Sequence, residues 1–262
     1  MRIRLDAELV RRGLSRSREH AVDLIEARQV LVGGIPATKP ATQVNPETSI
    51  KLAGIRDDFV SRGGHKLAGA LDAFPKISLT DKISLDAGAS TGGFTDVLLK
   101  RGVAKVIAVD VGYGQLAWEL RNDPRVSILD RTNVRHISPE IVGEEVDLIV
   151  ADLSFISLTM VIPALKSVSS PTADFLVMVK PQFEVGREKL GAGGVVRDSH
   201  LRKQAVMDVA NSAFESGLGC LGVCASPLPG PAGNVEYFLW LKADAPNLND
   251  EMIDAAIAKG PQ

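Results

Sequence analysis

The 262-residue chain reads as an α/β protein: a Rossmann-like, seven-stranded, mostly parallel sheet behind a small N-terminal α+β domain. Three observations predict this. Apolar strand runs and amphipathic helices alternate from about residue 83 onward, the rhythm of βα units that build a parallel sheet. The first of those strands, Ile83-Ser-Leu-Asp86, runs directly into Ala-Gly88-Ala-Ser90-Thr-Gly92-Gly93-Phe94, a loop of small residues that opens a helix. The first ~50 residues follow a different rhythm, two short helices and a glycine-turned hairpin, near the lower size limit of an independent domain.

Taken in order, Arg4 to Arg12 reads as an amphipathic helix with Leu5, Leu9 and Val10 on one side and Gly13 at its end. Ser15 is placed to cap a second helix through Arg28, with Ala21, Val22, Leu24 and Ile25 inward. Val30-Leu-Val, Gly33-Gly34 and Ile35-Pro-Ala-Thr form a hairpin pattern. Residues 55–63 read as a linker between a first domain at 1–54 and a second at 64–262. A helix from Gly64 to Phe74 opens the second domain. Strands are expected near 83–87, 105–110, 126–130, 146–152, 174–179, 219–225 and 235–242, with the last pair antiparallel at one edge. Helices are expected near 94–101, 114–121, 138–142, 157–167 and 198–216. The tail after Ala243 carries no motif.

Composition narrows the classes. A net charge of −2 excludes a wholly basic nucleic-acid binder, so any phosphate affinity must be local. No apolar run approaches the ~20 residues of a membrane span, and charges interrupt the first residues where a signal peptide would be apolar; a cytoplasmic protein is expected. Cys220 and Cys224 lie four residues apart on one predicted strand, too far for a disulfide, and the four histidines show no metal-ligand spacing. Free thiols and no metal are expected.

The glycine loop departs from the G-x-G-x-x-G spacing of dinucleotide binders, and it begins with an acid where a pyrophosphate would lie. A carboxylate there suits a cationic cofactor. S-adenosylmethionine fits, with its sulfonium, its amine and a ribose for Asp110 at the end of the next strand. The candidate cofactor residues are Asp86, Gly88, Ser90, Gly92, Gly93, Asp110, Val111, Asp130 and Asp152. The alternative is a tight strand-to-helix turn with no ligand. Asp86, Asp110, Asp130, Asp152 and Lys180 all fall at strand ends, the rim where open α/β sheets bind ligands; Pro181 keeps Lys180 extended so that its amine projects outward. In the N-terminal segment, Arg4, Arg11, Arg12, Arg16, Arg18 and Lys39 could grip phosphates, or belong to a solvated face paired with the interleaved acids Asp6, Glu8, Glu19, Asp23 and Glu26.

Two resemblances sharpen these readings. Arg4 through Pro40 resembles the RNA-binding module named after ribosomal protein S-four, which implies recognition of folded RNA by its backbone. Ser61-Arg-Gly-Gly-His-Lys66-Leu, the Asp86–Phe94 loop, Ala151-Asp152-Leu-Ser-Phe-Ile-Ser, Val179-Lys180-Pro-Gln-Phe-Glu and Gly233-Asn-Val-Glu236-Tyr-Phe-Leu-Trp resemble, in order, the TlyA family. Its members are ribosomal RNA 2′-O-methyltransferases with an FtsJ-like catalytic domain, also called hemolysins. The resemblance implies a catalytic set of Lys66, Asp152, Lys180 and Glu236, S-adenosylmethionine as cofactor, ribosomal RNA or ribosomal subunits as partner, and a cytidine ribose as target. Lys180 is the expected proton acceptor; desolvation and Lys66 favour its neutral amine, while Asp152 and Glu236 oppose it. The stretch Glu184–Asp198, rich in glycine, is expected to be a mobile loop whose Arg187, Lys189 and Arg197 reach RNA phosphates, or a plain flexible connection. Three other functions compete: an assembly factor with an idle methyltransferase fold, an NAD-dependent dehydrogenase and a pore-forming hemolysin.

Overall fold

The computed structural model describes all residues except 1–2, 13, 16, 46, 53–58 and 261–262. The chain divides into two compact units: residues 1–58 together with Pro231–Gly233, and residues 59–230 together with 234–262.

The first unit holds strand β1 (Ile3–Arg4), helices α1 (Leu5–Arg11) and α2 (Arg18–Glu26), and strands β2 (Val30–Val32), β3 (Ile35–Pro36), β4 (Gln43–Val44) and β5 (Ile50–Leu52). The predicted hairpin is β2–β3, with Gly33 and Gly34 at positive φ; β5 joins as a third antiparallel strand, and β1 pairs β4. Strands of two or three residues are too short to show a period, so β1, β4 and β5 left no trace in the sequence pattern. Leu5, Leu9, Ala21, Ile25, Val30 and Ile50 form the core, whereas Val10 stays half-buried. The cap of α2 is Ser17, whose side chain accepts the His20 amide, and not Ser15. Ser15 donates to the Ser17 carbonyl and contacts the His20 ring instead. Gly13, Arg16 and the first four residues of the expected linker, 55–58, lie outside the described residues.

The second unit begins before the expected Gly64. Phe59 packs into its core, the Val60 amide donates to Asp96, and α3 spans Arg62–Ala73. Seven strands follow: β6 (Ile83–Ala87), β7 (Lys105–Val109), β8 (Val126–Leu129), β9 (Val146–Ala151), β10 (Ser169–Val179), β11 (Leu218–Ala225) and β12 (Tyr237–Ala243). They form one sheet in the order β11-β12-β10-β9-β6-β7-β8. All neighbours are parallel except around β12, which lies antiparallel between β10 and β11. The predicted antiparallel pair is therefore real, but its later strand is inserted within the sheet and only β11 forms the edge.

Alternate residues feed two apolar layers. Leu85, Ile107, Ile149, Val177 and Tyr237 point to one face, and Val106, Leu148, Val150, Leu176 and Phe238 to the other. The helices are α4 (Gly93–Lys100), α5 (Trp118–Arg121), α6 (Pro139–Val142), α7 (Ile162–Ser167), α8 (Pro181–Glu184), α9 (Ser199–Glu215) and α10 (Asp250–Lys259). The helix expected over 114–121 is only α5; the residues ahead of it form a loop in which Asp110 accepts from the Gly112 amide and Asp130 from that of Gly114. The tail without a motif is α10, capped by Asn249 and buried through Ile253 and Ala256. Both cysteines are free.

Candidate active site

The sheet's parallel strands deliver their C-terminal ends to one rim. At β6 the chain buries Asp86 completely, and Thr95 from the first turn of α4 donates to its Oδ2 at 2.7 Å. The other oxygen, Oδ1, is buried with no hydrogen-bond partner. Burial lifts this carboxyl to about 7; the Thr95 hydrogen bond opposes the rise, and the charges of Asp152 and Asp110 add to it. Gly88 follows at φ +87, and a Cβ there would lie 2.7 Å from the Asp152 carbonyl oxygen, so the loop passes too close to β9's end for any side chain. Ser90 has φ 48, Gly92 caps α4 and Gly93 is its first residue.

Asp110 turns both oxygens to the loop backbone, accepting from Ser90 at 2.8 Å and from Gly112 at 2.7 Å. Those contacts fix its carboxylate and leave lone pairs for a diol. Val111 next to it is exposed. Asp130 accepts from Gly114 at 3.1 Å and contacts Arg121 at 3.4 Å.

Two ion pairs occupy the adjoining part of the rim. Lys180 Nζ lies 2.5 Å from Asp152 Oδ1 and donates to Ser154 Oγ at 2.9 Å. Lys66, from α3, donates to Glu236 Oε2 at 2.5 Å with both side chains buried, 9% and 1% exposed. Val177 pairs with Ala151 and Val179 with Tyr237, so Asp152, Lys180 and Glu236 stand at the ends of three adjacent strands. The four residues drawn from distant parts of the chain are brought together. Glu184 locks the two flanking segments, accepting from Ser157 Oγ at 2.5 Å and from the Leu158 amide at 3.0 Å; burial pushes its carboxyl upward.

Ser154 and Phe155 were not singled out by the sequence reading. Phe155 is 91% exposed at φ 63, a conformation costly for a bulky residue, and its ring lies 5.1 Å from that of Phe183. The Lys180 amine is 6.0 Å from the Phe183 ring. An aromatic three residues after the strand-end acid Asp152 was the available signal. Among the described residues, no cluster of His, Cys, Asp or Glu could hold a metal, and no helix is long and apolar enough to cross a membrane.

In the N-terminal unit the candidate arginines converge on two buried acids. Asp6 pairs with Arg4 at 2.9 Å and Arg18 at 3.1 Å; Glu8 pairs with Arg11 at 2.6 Å and Arg12 at 2.7 Å. Arg12 also donates to the Thr48 and Asn45 carbonyls. The Arg4 hydrogen bond outweighs burial to hold Asp6 down at about 2, and that of Arg11 does the same for Glu8. Asp6 and Glu8 are thus anchors beneath a basic surface and not members of a solvated face. Lys39 is exposed.

The FtsJ-like methyltransferase profile matches residues 59–243, and the S4 domain profile matches residues 3–50. A Mycobacterium tuberculosis protein named 16S/23S rRNA (cytidine-2′-O)-methyltransferase TlyA is 56% identical, over 99% of each chain. The chain belongs to the TlyA family. A Campylobacter jejuni relative, named 23S rRNA (cytidine-2′-O)-methyltransferase TlyA, is 32% identical over 88% of this chain and 96% of its own. A solved structure of a Streptococcus thermophilus protein, provisionally named a hemolysin, superposes with a TM-score of 0.85 at 37% identity, covering 98% of this chain and 95% of that one. TlyA relatives therefore carry both the methyltransferase and the hemolysin names.

Proposed function

We propose that this TlyA-family chain transfers the methyl group of S-adenosylmethionine to the ribose 2′-oxygen of a cytidine in ribosomal RNA. The observation that carries the reading is the convergence of Lys66, Asp152, Lys180 and Glu236 on the rim that also holds Asp86, Gly88 and Asp110.

The rim suits that cofactor. The unpartnered, buried Asp86 Oδ1 calls for a cationic or donor group, the side-chain-free passage at Gly88 admits close approach, and Asp110 is pre-set for the two ribose hydroxyls. Ser90, Gly92 and Gly93 would line the methionyl side, and Val111 and Asp130 the base. When bound, S-adenosylmethionine supplies a methyl group already activated by a sulfonium.

The protein's part is orientation and proton removal. Lys180 Nζ, in its neutral form, accepts the 2′-hydroxyl proton; Asp152 and Ser154 hold that nitrogen in place and stabilise the ammonium that results. Glu236 fixes Lys66, whose charge steadies the oxygen as it becomes an ether. The exposed Phe155 ring offers a surface for a base drawn out of its stack, a displacement costing a few kcal/mol. The arginines over Asp6 and Glu8, with Arg16 and Lys39, would hold RNA phosphates elsewhere, and the covalent link raises the effective concentration of that second contact.

The test uses ribosomal subunits from cells lacking this protein, labelled S-adenosylmethionine and purified full chain. Label should appear as a 2′-O-methyl on a cytidine, and none should appear with Lys180→Ala. Absence of label with the intact chain would overturn the reading in favour of an idle fold.

A further inference from the structure

The segment expected to be a mobile loop is fastened at both ends. Val185 and Val196 are buried with Ala205 of α9. Between them run two single turns, 187–189 and 192–194, with glycines at positive φ at 186, 193 and 194. Asn234 makes the central fastening. It is 2% exposed; its Oδ1 accepts the Val196 amide at 2.9 Å and its Nδ2 donates to the Gly194 carbonyl at 3.0 Å. The amide side chain supplies the donor and the acceptor on two separate atoms.

The main chain of Asn234 continues the connection. Its carbonyl accepts the Gly230 amide at 2.9 Å, and a Cβ on Gly230 would lie 2.6 Å from Glu236 Oε1. The turn that Asn234 closes therefore rests against the carboxylate that holds Lys66. One buried side chain ties the 194–196 backbone to the wall behind Glu236.

On the outer side of the segment, Arg187, Lys189 and Arg197 are exposed. Unlike the N-terminal arginines, none has a side-chain hydrogen bond or ion pair among the described residues. Arg187 and Lys189 flank Glu188, and Arg197 precedes Asp198, whose side chain caps α9; the three uncommitted cations lie on a segment tied through Asn234 to a site whose proposed substrate is a polyanion. Cations held free of internal partners keep their full charge for phosphates.

We propose that segment 186–197 is a second contact for the RNA sugar–phosphate backbone, and that Asn234 is a positioning residue linking this contact to Glu236. The inference rests on the functional reading above. Asn234 holds the 194–196 backbone against the turn behind Glu236, so that RNA seated on the three cations meets a Glu236–Lys66 pair already in place.

Two full-length variants test it in the labelled methyl-transfer assay with ribosomal subunits across a salt series. Replacing all three cations (Arg187→Gln, Lys189→Gln, Arg197→Gln) should raise KM by about tenfold and flatten the dependence on log salt by about two units. Its kcat and cofactor affinity should stay near those of the intact chain. Asn234→Ala should instead lower kcat by about tenfold with KM little changed. It should also speed trypsin cleavage after Arg187, Lys189 and Arg197, which reports opening of the segment. Asn234→Gln, which keeps both hydrogen-bonding groups, should recover part of the kcat. If Asn234→Ala does not fold, the triple variant, altered only at exposed positions, still decides the RNA contact. An unchanged KM and salt slope in the triple variant, or unchanged kcat and cleavage in Asn234→Ala, overturns the proposal while methylation by the intact chain stands. Absence of methylation by the intact chain removes the functional reading and this inference with it.

Discussion

In the N-terminal unit, Asp6 and Glu8 are buried acids whose arginine partners remain largely at the surface: the Glu8 side chain is 0% exposed and that of Arg11 57%. In the catalytic unit, Lys66 and Glu236 are both withdrawn from solvent. The difference is in which charges remain available. An arginine such as Arg11, with one edge on a buried carboxylate, keeps its remaining donors outward for phosphate, whereas Arg12 also commits donors to the Thr48 and Asn45 carbonyls. A lysine sealed with its acid has no such surplus, and in the proposed function its pairing would serve geometry at the reacting atoms. The Lys180–Asp152 pair is intermediate, since Asp152 is partly open.

The largest expected effect tests whether the intermediate pair is the chemical one. Lys180→Ala should lower kcat by about 10³-fold while leaving cofactor affinity, measured by calorimetry, within a small factor. Near-normal turnover would assign proton removal elsewhere and dissolve the distinction between the two lysine pairs.

The sealed pair should matter most for folding. Glu236→Ala strands an uncompensated buried ammonium and is expected to cost about 3–5 kcal/mol. Asp152→Ala, beside a partly open position, should cost about 1–3 kcal/mol. Chemical denaturation orders the two, and an equal loss would show that burial does not separate them.

For the N-terminal anchors, Glu8→Ala should cost about 2 kcal/mol, because it removes charge-assisted hydrogen bonds from arginines that can turn to water. The sign with pH is determined. Glu8 is held at about 2, below its ordinary 4.5, so its contribution is complete above 4.5 and disappears as the pH falls toward 2. The gap between intact and variant stability should close over that window. A gap that persists at pH 2 would mean that Glu8 acts by packing alone.

Much of this was legible because the signals were local. Asp86 to Phe94 placed a strand, an acid and a helix start within nine residues, and five strand ends carried ionisable groups. What stayed hidden was pairing at a distance. Asp6 and Glu8 looked like solvent-facing partners of a basic helix, since nothing in a seven-residue helix says which acid faces inward. The helix expected over 114–121 is only Trp118–Arg121, and the loop ahead of it is organised by Asp110 and Asp130, contacts that periodicity does not register. Asn234 read as part of a motif, while its hold on residues 194 and 196, some 40 positions earlier, belongs to tertiary structure.

Asp86 completes the comparison as an acid with no cation at all. Burial raises it to about 7, so its ionisation costs folding free energy: its contribution is most favourable below its unfolded value near 3.8 and is lost as the pH rises through about 7. A cationic cofactor reverses that cost by supplying the missing charge. Affinity for S-adenosylmethionine should therefore increase by about tenfold between pH 6 and 7.5, with protons released on binding below pH 7. Calorimetry in buffers of different ionisation enthalpy measures both quantities. In Asp86→Asn the affinity should be lower and flat with pH, while the cofactor-free protein should be as stable as the intact chain or more so at pH 8. Affinity that falls as the pH rises through 7 would mean that the amine of the cofactor does not meet this carboxylate, and that Asp86 is an anchor of the Asp6 kind whose partner is Thr95 alone.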